Sequence, residues 1–522
     1  MTSLALILWL AAGGPGLVQA SRAASLAPAD TLKQIEALLA RNDLAAARAA
    51  ITSALGAHPA DPDLQNMAGV IDAQQGVFAS AESHFQTAIR LSPRSTAAYE
   101  NLGRLYQEHS AGDASARAKA IDVYKHLLDV DPSSAEGLYQ SAFLLALDGR
   151  FAASRTLLDR LSPDVAGQPQ ALAVRAVTLA GAGDAPGADV ALAALSSHPD
   201  LSAPDVVAVV PAFDHLSDDR VPQRMLEALD RRSLSTPETL QRLARIDAAH
   251  QRYREARQRL ERASAMNGPT VPLLLDLARA ADKDGDHEGA LGYLAHARDM
   301  EPQNATVHFM FGVVCVELNL VREADESLKK AIALVPDNPM VNYMMGAVSM
   351  HRHEPSQSLP YFEKYVALVP GDPRGRFALG VARFNSNEFD EAARDLAEAA
   401  THPETAAGAH YFLARIARQA NDLETARREI DESLRLAPRH ADAWAELGLI
   451  EMRTGAYADA ERSLGKALEM EPDNYAATVN LTALYGRMKD PRREAQAARL
   501  AALQQKREAE AQEFLRIIEV AP

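Results

Sequence analysis

Small and large apolar residues recur along this chain with a period of 34 residues. One recurring position holds only alanine or glycine: Ala278, Gly312, Gly346, Gly380, Ala414 and Gly448. Sixteen residues later stands a large apolar residue: Leu294, Leu328, Phe362, Leu396, Ile430 and Leu464. Proline follows the same period at Pro302, Pro336, Pro370, Pro438 and Pro472. Several independent positions therefore agree on one repeat.

The spacing predicts two antiparallel helices in each repeat. Small residues at the eighth and twentieth positions let the paired helices approach closely, and the large residue at the twenty-fourth fills the space beside them. Proline lacks the N–H that a helix interior needs but fits a first turn, so it is expected to separate successive repeats. Glycine near the fifteenth position, as at Gly285 and Gly455, is typical of a turn between the two helices.

This pattern resembles the tetratricopeptide repeat family, whose 34-residue unit carries Trp, Leu, Gly, Tyr, Ala, Phe, Ala and Pro at these offsets. The repeat that starts at residue 441 matches best, through Trp444, Leu447, Gly448, Ala460, Leu464, Ala467 and Pro472. The resemblance implies an all-α fold, a right-handed superhelical solenoid of about fourteen antiparallel helix pairs. The first helices of the repeats are expected to line a concave groove.

The register groups the repeats into the stretches 28–134, 135–270 and 271–508. In the first stretch one repeat is five residues longer, in a loop near 110–113. The second stretch contains a degenerate repeat at 203–236, where Val210 and Pro222 replace the two small residues. That replacement predicts irregular helix packing near Pro211 and Pro222.

The C-terminal residues 491–522 are predicted to form a capping helix, because a repeat array needs a polar cover over its last face. The apolar residues between Phe514 and Ile518 do not fit a purely solvated cap. They are expected either to fold back on the last repeat or to dock another protein.

The N-terminal residues 1–20 are predicted to form a signal peptide. The apolar run from Leu4 to Ala12 is too short to span a bilayer, and Val18, Gln19 and Ala20 suit a cleavage site. This predicts a bacterial protein that is periplasmic or secreted. Because no Lys or Arg precedes Arg22, a retained membrane anchor or a flexible N-terminus remains an alternative.

Composition and charge favour a helical fold and argue against a nucleic acid partner and a disulfide framework. Aromatic residues make up 5% of the 522 residues, and alanine and leucine dominate, which favours helices over strands. The formal net charge of −16 repels phosphate backbones, so no nucleic acid partner is expected. The single cysteine, Cys315, rules out an intramolecular disulfide framework.

No catalytic, cofactor or metal motif stands out. The chain has no His-Glu-x-x-His helix, no Gly-x-Ser-x-Gly turn and no phosphate-binding loop with Lys-Ser/Thr. His351 and His353 are two residues apart, so on a helix they would face different directions. We therefore expect neither an enzyme nor a bound metal or cofactor.

The resemblance implies that positions 2, 5, 9, 12 and 13 of each repeat face the groove. The residues predicted to line a peptide-binding groove are Phe309, Tyr343, Met350, Arg374, Phe377, Phe384, Tyr411, Arg415 and Arg418. The aromatic residues and Met350 are expected to hold apolar side chains, and the three arginines to hold carboxylates. In the alternative interpretation, the aromatic residues only pack between neighbouring helices.

Two functions follow from these features. The first is a non-catalytic scaffold or adaptor that binds a protein or peptide along the groove. The second is a structural spacer or assembly subunit of a bacterial envelope machine for export or polysaccharide. Contact with a membrane is expected only if the N-terminal segment is retained.

Overall fold

The computed structural model describes residues 26–108 and 114–519, and side chains for 30–108 and 115–506. The predicted signal peptide and the loop near 110–113 lie outside the described residues, as do the side chains from Phe514 to Ile518. The chain divides into two compact blocks, Met1–His250 and Gln251–Pro522, called here the N-terminal and the C-terminal block.

The described part of the N-terminal block contains six helix pairs and two further helices, the four-residue α9 and α14 at its end. Its helices are α1 (Leu26–Ala40), α2 (Leu44–Ala57), α3 (Pro62–Gln74), α4 (Phe78–Leu91), α5 (Thr96–Glu108), α6 (Ala114–Val130), α7 (Ala135–Leu147), α8 (Phe151–Leu158), α9 (Pro163–Ala166), α10 (Pro169–Gly181), α11 (Ala185–Ser197), α12 (Ala203–Val207), a 3₁₀ helix (Val210–His215), α13 (Arg220–Arg231) and α14 (Pro237–Ala249).

The C-terminal block contains one helix followed by seven helix pairs. Its helices are α15 (Tyr253–Asn267), α16 (Val271–Lys283), α17 (His287–Met300), α18 (Ala305–Glu317), α19 (Val321–Leu334), α20 (Pro339–His351), α21 (Pro355–Leu368), α22 (Pro373–Asn385), α23 (Phe389–Ala399), α24 (Ala406–Gln419), α25 (Leu423–Leu436), α26 (Ala441–Thr454), α27 (Tyr457–Met470), α28 (Tyr475–Met488) and α29 (Arg493–Glu519). The predicted all-α fold of paired helices is confirmed, and the described residues contain no strand.

The turn between the two helices of a repeat contains a residue in the left-handed backbone conformation. In eight successive repeats this residue is at the fifteenth position. From Gln251 to Lys489 this conformation recurs every 34 residues: Gln251, Gly285, Asn319, His353, Asn387, Asn421, Gly455 and Lys489. Glycine and asparagine adopt a positive φ at low cost, so most of these residues suit the turn. The local sequence therefore determines where each first helix stops.

The start of each first helix is also encoded locally. Asn304, Asn338, Asp372 and Asn474 precede α18, α20, α22 and α28, and each side chain accepts a hydrogen bond from a backbone N–H of the first turn. Proline is the first residue of α20 and of α22. Such caps satisfy N–H groups that have no partner within the helix.

The two helices of a repeat pack where the small and large residues meet. A Cβ placed on Gly312, Gly346 or Gly448 would lie 2.6–2.7 Å from the side chain sixteen residues later, which is Leu328, Phe362 or Leu464. Those large side chains are at most 3% exposed. Glycine therefore lets the large residue lie directly on the backbone of the first helix.

The degenerate repeat is irregular in the structure. Its first helix is replaced by the five-residue α12 and by the 3₁₀ helix that contains Pro211. As a result α11 contacts α13, although each of them is the second helix of its own repeat. Phe213 and Met225 are buried in the core that this arrangement forms.

The last helix, α29, begins as the second helix of the final repeat. Arg499 donates to the Pro472 carbonyl, Lys506 Nζ lies 2.6 Å from Asp473 Oδ2, and Leu503 is 8% exposed. The helix then continues to Glu519. Among the described helices, none is both long and apolar enough to cross a bilayer.

Candidate peptide-binding face

The first helices of the C-terminal block form one face, which we call the first-helix face. In the described part of this block α18 contacts α20, α22 contacts α24, α24 contacts α26 and α26 contacts α28, whereas its second helices show no contact of similar extent with one another. Helices that approach more closely on one side of a stack place that side inward. This agrees with the expectation that first helices line the groove.

Three successive first helices present apolar side chains on this face. Phe309 lies on α18, Met350 and Ala347 on α20, and Val381 on α22, and all four are half-buried. Met340, at the start of α20, is 44% exposed. The fifth, ninth and twelfth positions of this face are therefore apolar or aromatic from α18 to α22.

The four aromatic residues at the fifth position do not stack on one another. The Tyr343 ring lies 5.0 Å from that of Tyr365 and 5.7 Å from that of Phe362, while the Phe377 ring lies 6.2 Å from that of Phe412. Each of these four residues is half-buried. Burial raises the pKa of the Tyr343 hydroxyl, so that group stays neutral.

Phe384 lies deeper than the other predicted groove residues. It is 5% exposed, and its ring contacts those of Phe389 and Phe412 at 5.7 Å and 5.3 Å. A side chain with so little exposed surface offers almost no contact area to a ligand. Phe384 instead supports Arg415, whose guanidinium carbon lies 4.6 Å from the centre of its ring.

Two of the three arginines predicted to line the groove are already paired with carboxylates of the same chain. Arg374 makes a two-pronged contact with Asp372, at 2.6–3.0 Å, and this contact holds the pKa of the Asp372 carboxyl well below its usual range. Arg418 forms an ion pair with Glu446, and these side chains are 13% and 8% exposed. Both guanidinium groups are therefore already neutralised.

Arg415 differs from both. It is half-buried and lies over three aromatic rings: 4.6 Å from Phe384, 5.3 Å from Phe412 and 5.4 Å from Tyr411. In the described part of the chain no carboxylate lies within 4.0 Å of it. We call these four residues the Arg415 cluster.

Sequence reasoning missed the side chains that contact these arginines. Those contacts decide which arginine is free to bind a ligand. Asp372 stands two residues before Arg374, at the N-cap of α22, and such a cap could have been recognised. Glu446 lies at the sixth position of the next repeat, 28 residues after Arg418. Phe412 stands three residues before Arg415 on α24, a spacing that places the two side chains side by side, whereas only the packing of α22 against α24 shows that Phe384 supports Arg415.

The histidine and cysteine side chains show no arrangement for chemistry. His351 contacts Asn319 at 3.1 Å, and His353 occupies a left-handed turn position with φ 60°. Burial raises the pKa of Cys315 to about 12, so its thiol stays protonated. Within the described residues no three His, Cys, Asp or Glu side chains are placed to hold a metal ion.

Comparison with known structures identifies tetratricopeptide repeat proteins. One from Parabacteroides merdae is 16% identical over 48% of this chain and 98% of its own, with a TM-score of 0.40. YrrB, a repeat protein with an unusual peptide-binding site, is 22% identical over 42% of this chain and 95% of its own, with a TM-score of 0.27. At these identities the similarity concerns the fold alone. None of the curated proteins matches this chain in sequence.

The sequence profile of the tetratricopeptide repeat matches five regions of the chain. They are residues 32–96, 242–305, 275–339, 343–410 and 411–477. These regions cover more than half of the 522 residues. The chain therefore belongs to the tetratricopeptide repeat family.

Proposed function

We propose that this protein is a non-catalytic scaffold that binds an extended apolar segment of a protein partner on the first-helix face of α18–α24. The tetratricopeptide fold itself implies a protein-interaction scaffold. The proposal adds where on the C-terminal block the partner binds and what kind of segment it presents.

One observation carries this proposal: the fifth, ninth and twelfth positions of the first-helix face are apolar or aromatic over three successive repeats. Val313 and Val316 on α18, Ala347 on α20 and Val381 on α22 are half-buried rather than enclosed in the helix pairs. The same positions elsewhere carry charge, as at Arg279 and Arg415. Apolar surface of this extent on a solvated face marks a place where another chain can bury it.

A charge placed in the middle of this face tests the proposal. We expect Ala347→Glu to weaken binding at least about 10-fold, because a carboxylate would lose its water against the apolar segment. The helix tolerates a long charged side chain at this position, since Arg279 and Arg415 occupy the equivalent place in α16 and α24. The measurement is fluorescence anisotropy with peptides selected on the full chain from a random dodecapeptide phage library.

Ala367→Glu is the matched control. Ala367 is exposed on α21, a second helix, so the same substitution adds the same charge away from the face. Its affinity should stay within about 2-fold of the wild type. Equal affinities for the two variants would exclude the first-helix face, and binding through the ends of the array, as expected of a spacer, would become the better explanation.

Alanine substitutions at Tyr343 and Phe377 are less decisive. The Tyr343 ring contacts Phe362 and Tyr365, and the Phe377 ring contacts Phe412. Removing a large half-buried ring leaves a cavity that lowers stability by a few kcal/mol. Lost binding could then reflect a disturbed repeat rather than a lost contact.

A further inference from the structure

Arg415 is a cation that the protein partly buries without neutralising it. Its guanidinium lies over the rings of Phe384, Tyr411 and Phe412 at 4.6–5.4 Å. The faces of these rings favour a cation but do not accept its in-plane N–H donors. The Tyr411 hydroxyl is close enough to accept one of these donors, and the remaining donors at the edge of the guanidinium stay open to a ligand.

The other half-buried arginines near this face are each paired with a carboxylate. Arg376 and Arg383 lie 3.1 Å and 2.6 Å from the two carboxylate oxygens of Asp395, which is 3% exposed. Arg418 is paired with Glu446. Since a desolvated charge is costly without a partner, the absence of a carboxylate at Arg415 distinguishes it from its neighbours.

The acidic groups nearest to the Arg415 cluster are engaged elsewhere. Asp442 and Glu446 are close enough to influence Tyr411, whose pKa is raised mainly by burial. Glu446 is bound by Arg418, and Asp442 accepts a hydrogen bond from the Asn474 amide at 2.8 Å. Neither of these two carboxylates is therefore positioned to pair with Arg415 in the described structure.

We propose that Arg415 binds the side-chain carboxylate of an Asp or Glu in the partner segment. This inference rests on the proposed function and deepens it, because it specifies the chemistry of the ligand. A guanidinium held in place by rings can offer two parallel N–H donors to a carboxylate, and such charge-assisted pairs are strong. The acid is placed within the segment and not at its end, because the first helices continue past α24 with α26 and α28.

The geometry also predicts the spacing within the ligand. Packed helices lie about 8–10 Å apart, so the step from α20 to α24 covers about 20 Å. An extended chain advances about 3.4 Å per residue. The acidic residue should therefore lie about six residues from the apolar residue that contacts Ala347 and Met350.

A double-mutant cycle tests the contact. Peptides selected on the full chain are compared with analogues in which the acidic residue is changed from Asp to Asn or from Glu to Gln. The wild-type protein should lose about 10-fold in affinity for the analogue, whereas Arg415→Gln should lose less than about 2-fold. Arg415→Lys keeps the charge but not the two-pronged geometry, and should bind the acidic peptide with intermediate affinity.

Helicity measured by circular dichroism checks that each variant is folded, and binding of the neutral analogue checks that the face is intact. Selected peptides without an acidic residue at this spacing would overturn the Arg415 inference alone. An equal loss in the wild type and in Arg415→Gln would do the same. If the library yields no binding peptide, both the scaffold proposal and this inference fail.

Discussion

At the scale of the residue, Asp372 combines three contacts in one carboxylate. It accepts a hydrogen bond from the backbone N–H of Arg374 at 2.9 Å and so caps α22. It also forms an ion pair with the Arg374 guanidinium and accepts a hydrogen bond from the Tyr365 hydroxyl. The arginine is the main cause of its lowered pKa.

This pKa shift makes a prediction about pH. A carboxyl whose pKa is lower in the folded than in the unfolded state stabilises the fold above the unfolded value, about 3.9, and loses that contribution as pH falls through the folded value. Asp372→Asn should therefore reduce the free energy of unfolding by about 1 kcal/mol at pH 7.

Urea unfolding of wild type and Asp372→Asn at pH 7, 4 and 3 measures this difference. The two curves should approach each other as the pH drops below 4. A difference that stays constant over this range would show that the charge on Asp372 does not contribute.

At the scale of the element, several helix pairs depend on a glycine under a large side chain. A Cβ on Gly346 would lie 2.7 Å from the Phe362 ring, closer than packed atoms allow. Repeats with alanine at this place, Ala278 and Ala414, carry an aliphatic residue opposite, Leu294 and Ile430. Leucine also stands opposite glycine, at Gly312, Gly380 and Gly448, so the glycine is needed most where the large residue is the ring of Phe362.

Gly346→Ala is expected to destabilise the protein by about 1–3 kcal/mol, because the added methyl displaces a rigid buried ring. Gly465→Ala is the control. Gly465 also lies inside a helix, α27, but nothing is within 4 Å of its added Cβ. That variant should be more stable by about 0.5–1 kcal/mol, since alanine favours a helix. Opposite shifts in the urea midpoint would support this account, and equal shifts would contradict it.

At the scale of the whole molecule, the C-terminal block is a linear stack of repeats. In the described part of the C-terminal block, the larger helix–helix contacts join helices of the same repeat or of adjacent repeats. For example, α19 contacts α18 and α20. Stability in such an array is close to a sum of terms from repeats and from their nearest neighbours. One repeat should therefore be removable without loss of the fold.

We expect a chain without residues 305–338 to remain helical and monodisperse. The deletion removes α18 and α19, and Asn304 then takes the place of Asn338 before α20. The control lacks only residues 322–338, most of α19, and so leaves α18 without its partner. Circular dichroism per residue should be unchanged in the first and reduced in the second. A similar loss in both would contradict the linear description.

Much of this architecture could be predicted from the sequence. The period, the helix pairs, the turns at the fifteenth position and the irregular repeat near Pro211 depend on side-chain volume, caps and backbone freedom. These properties belong to single residues or to residues within one repeat, so they can be recognised along the chain.

The availability of the groove side chains was decided by the tertiary structure. Arg415 and Arg418 look equivalent in sequence, yet Glu446 of the next repeat neutralises Arg418 and Phe384 of the preceding repeat supports Arg415, whereas the pair of Asp372 with Arg374 is local. The division of the chain after His250 is likewise visible only in the fold. The physical reason is that a period follows from local geometry, whereas the partner of a long side chain depends on its rotamer and on how neighbouring helices are placed.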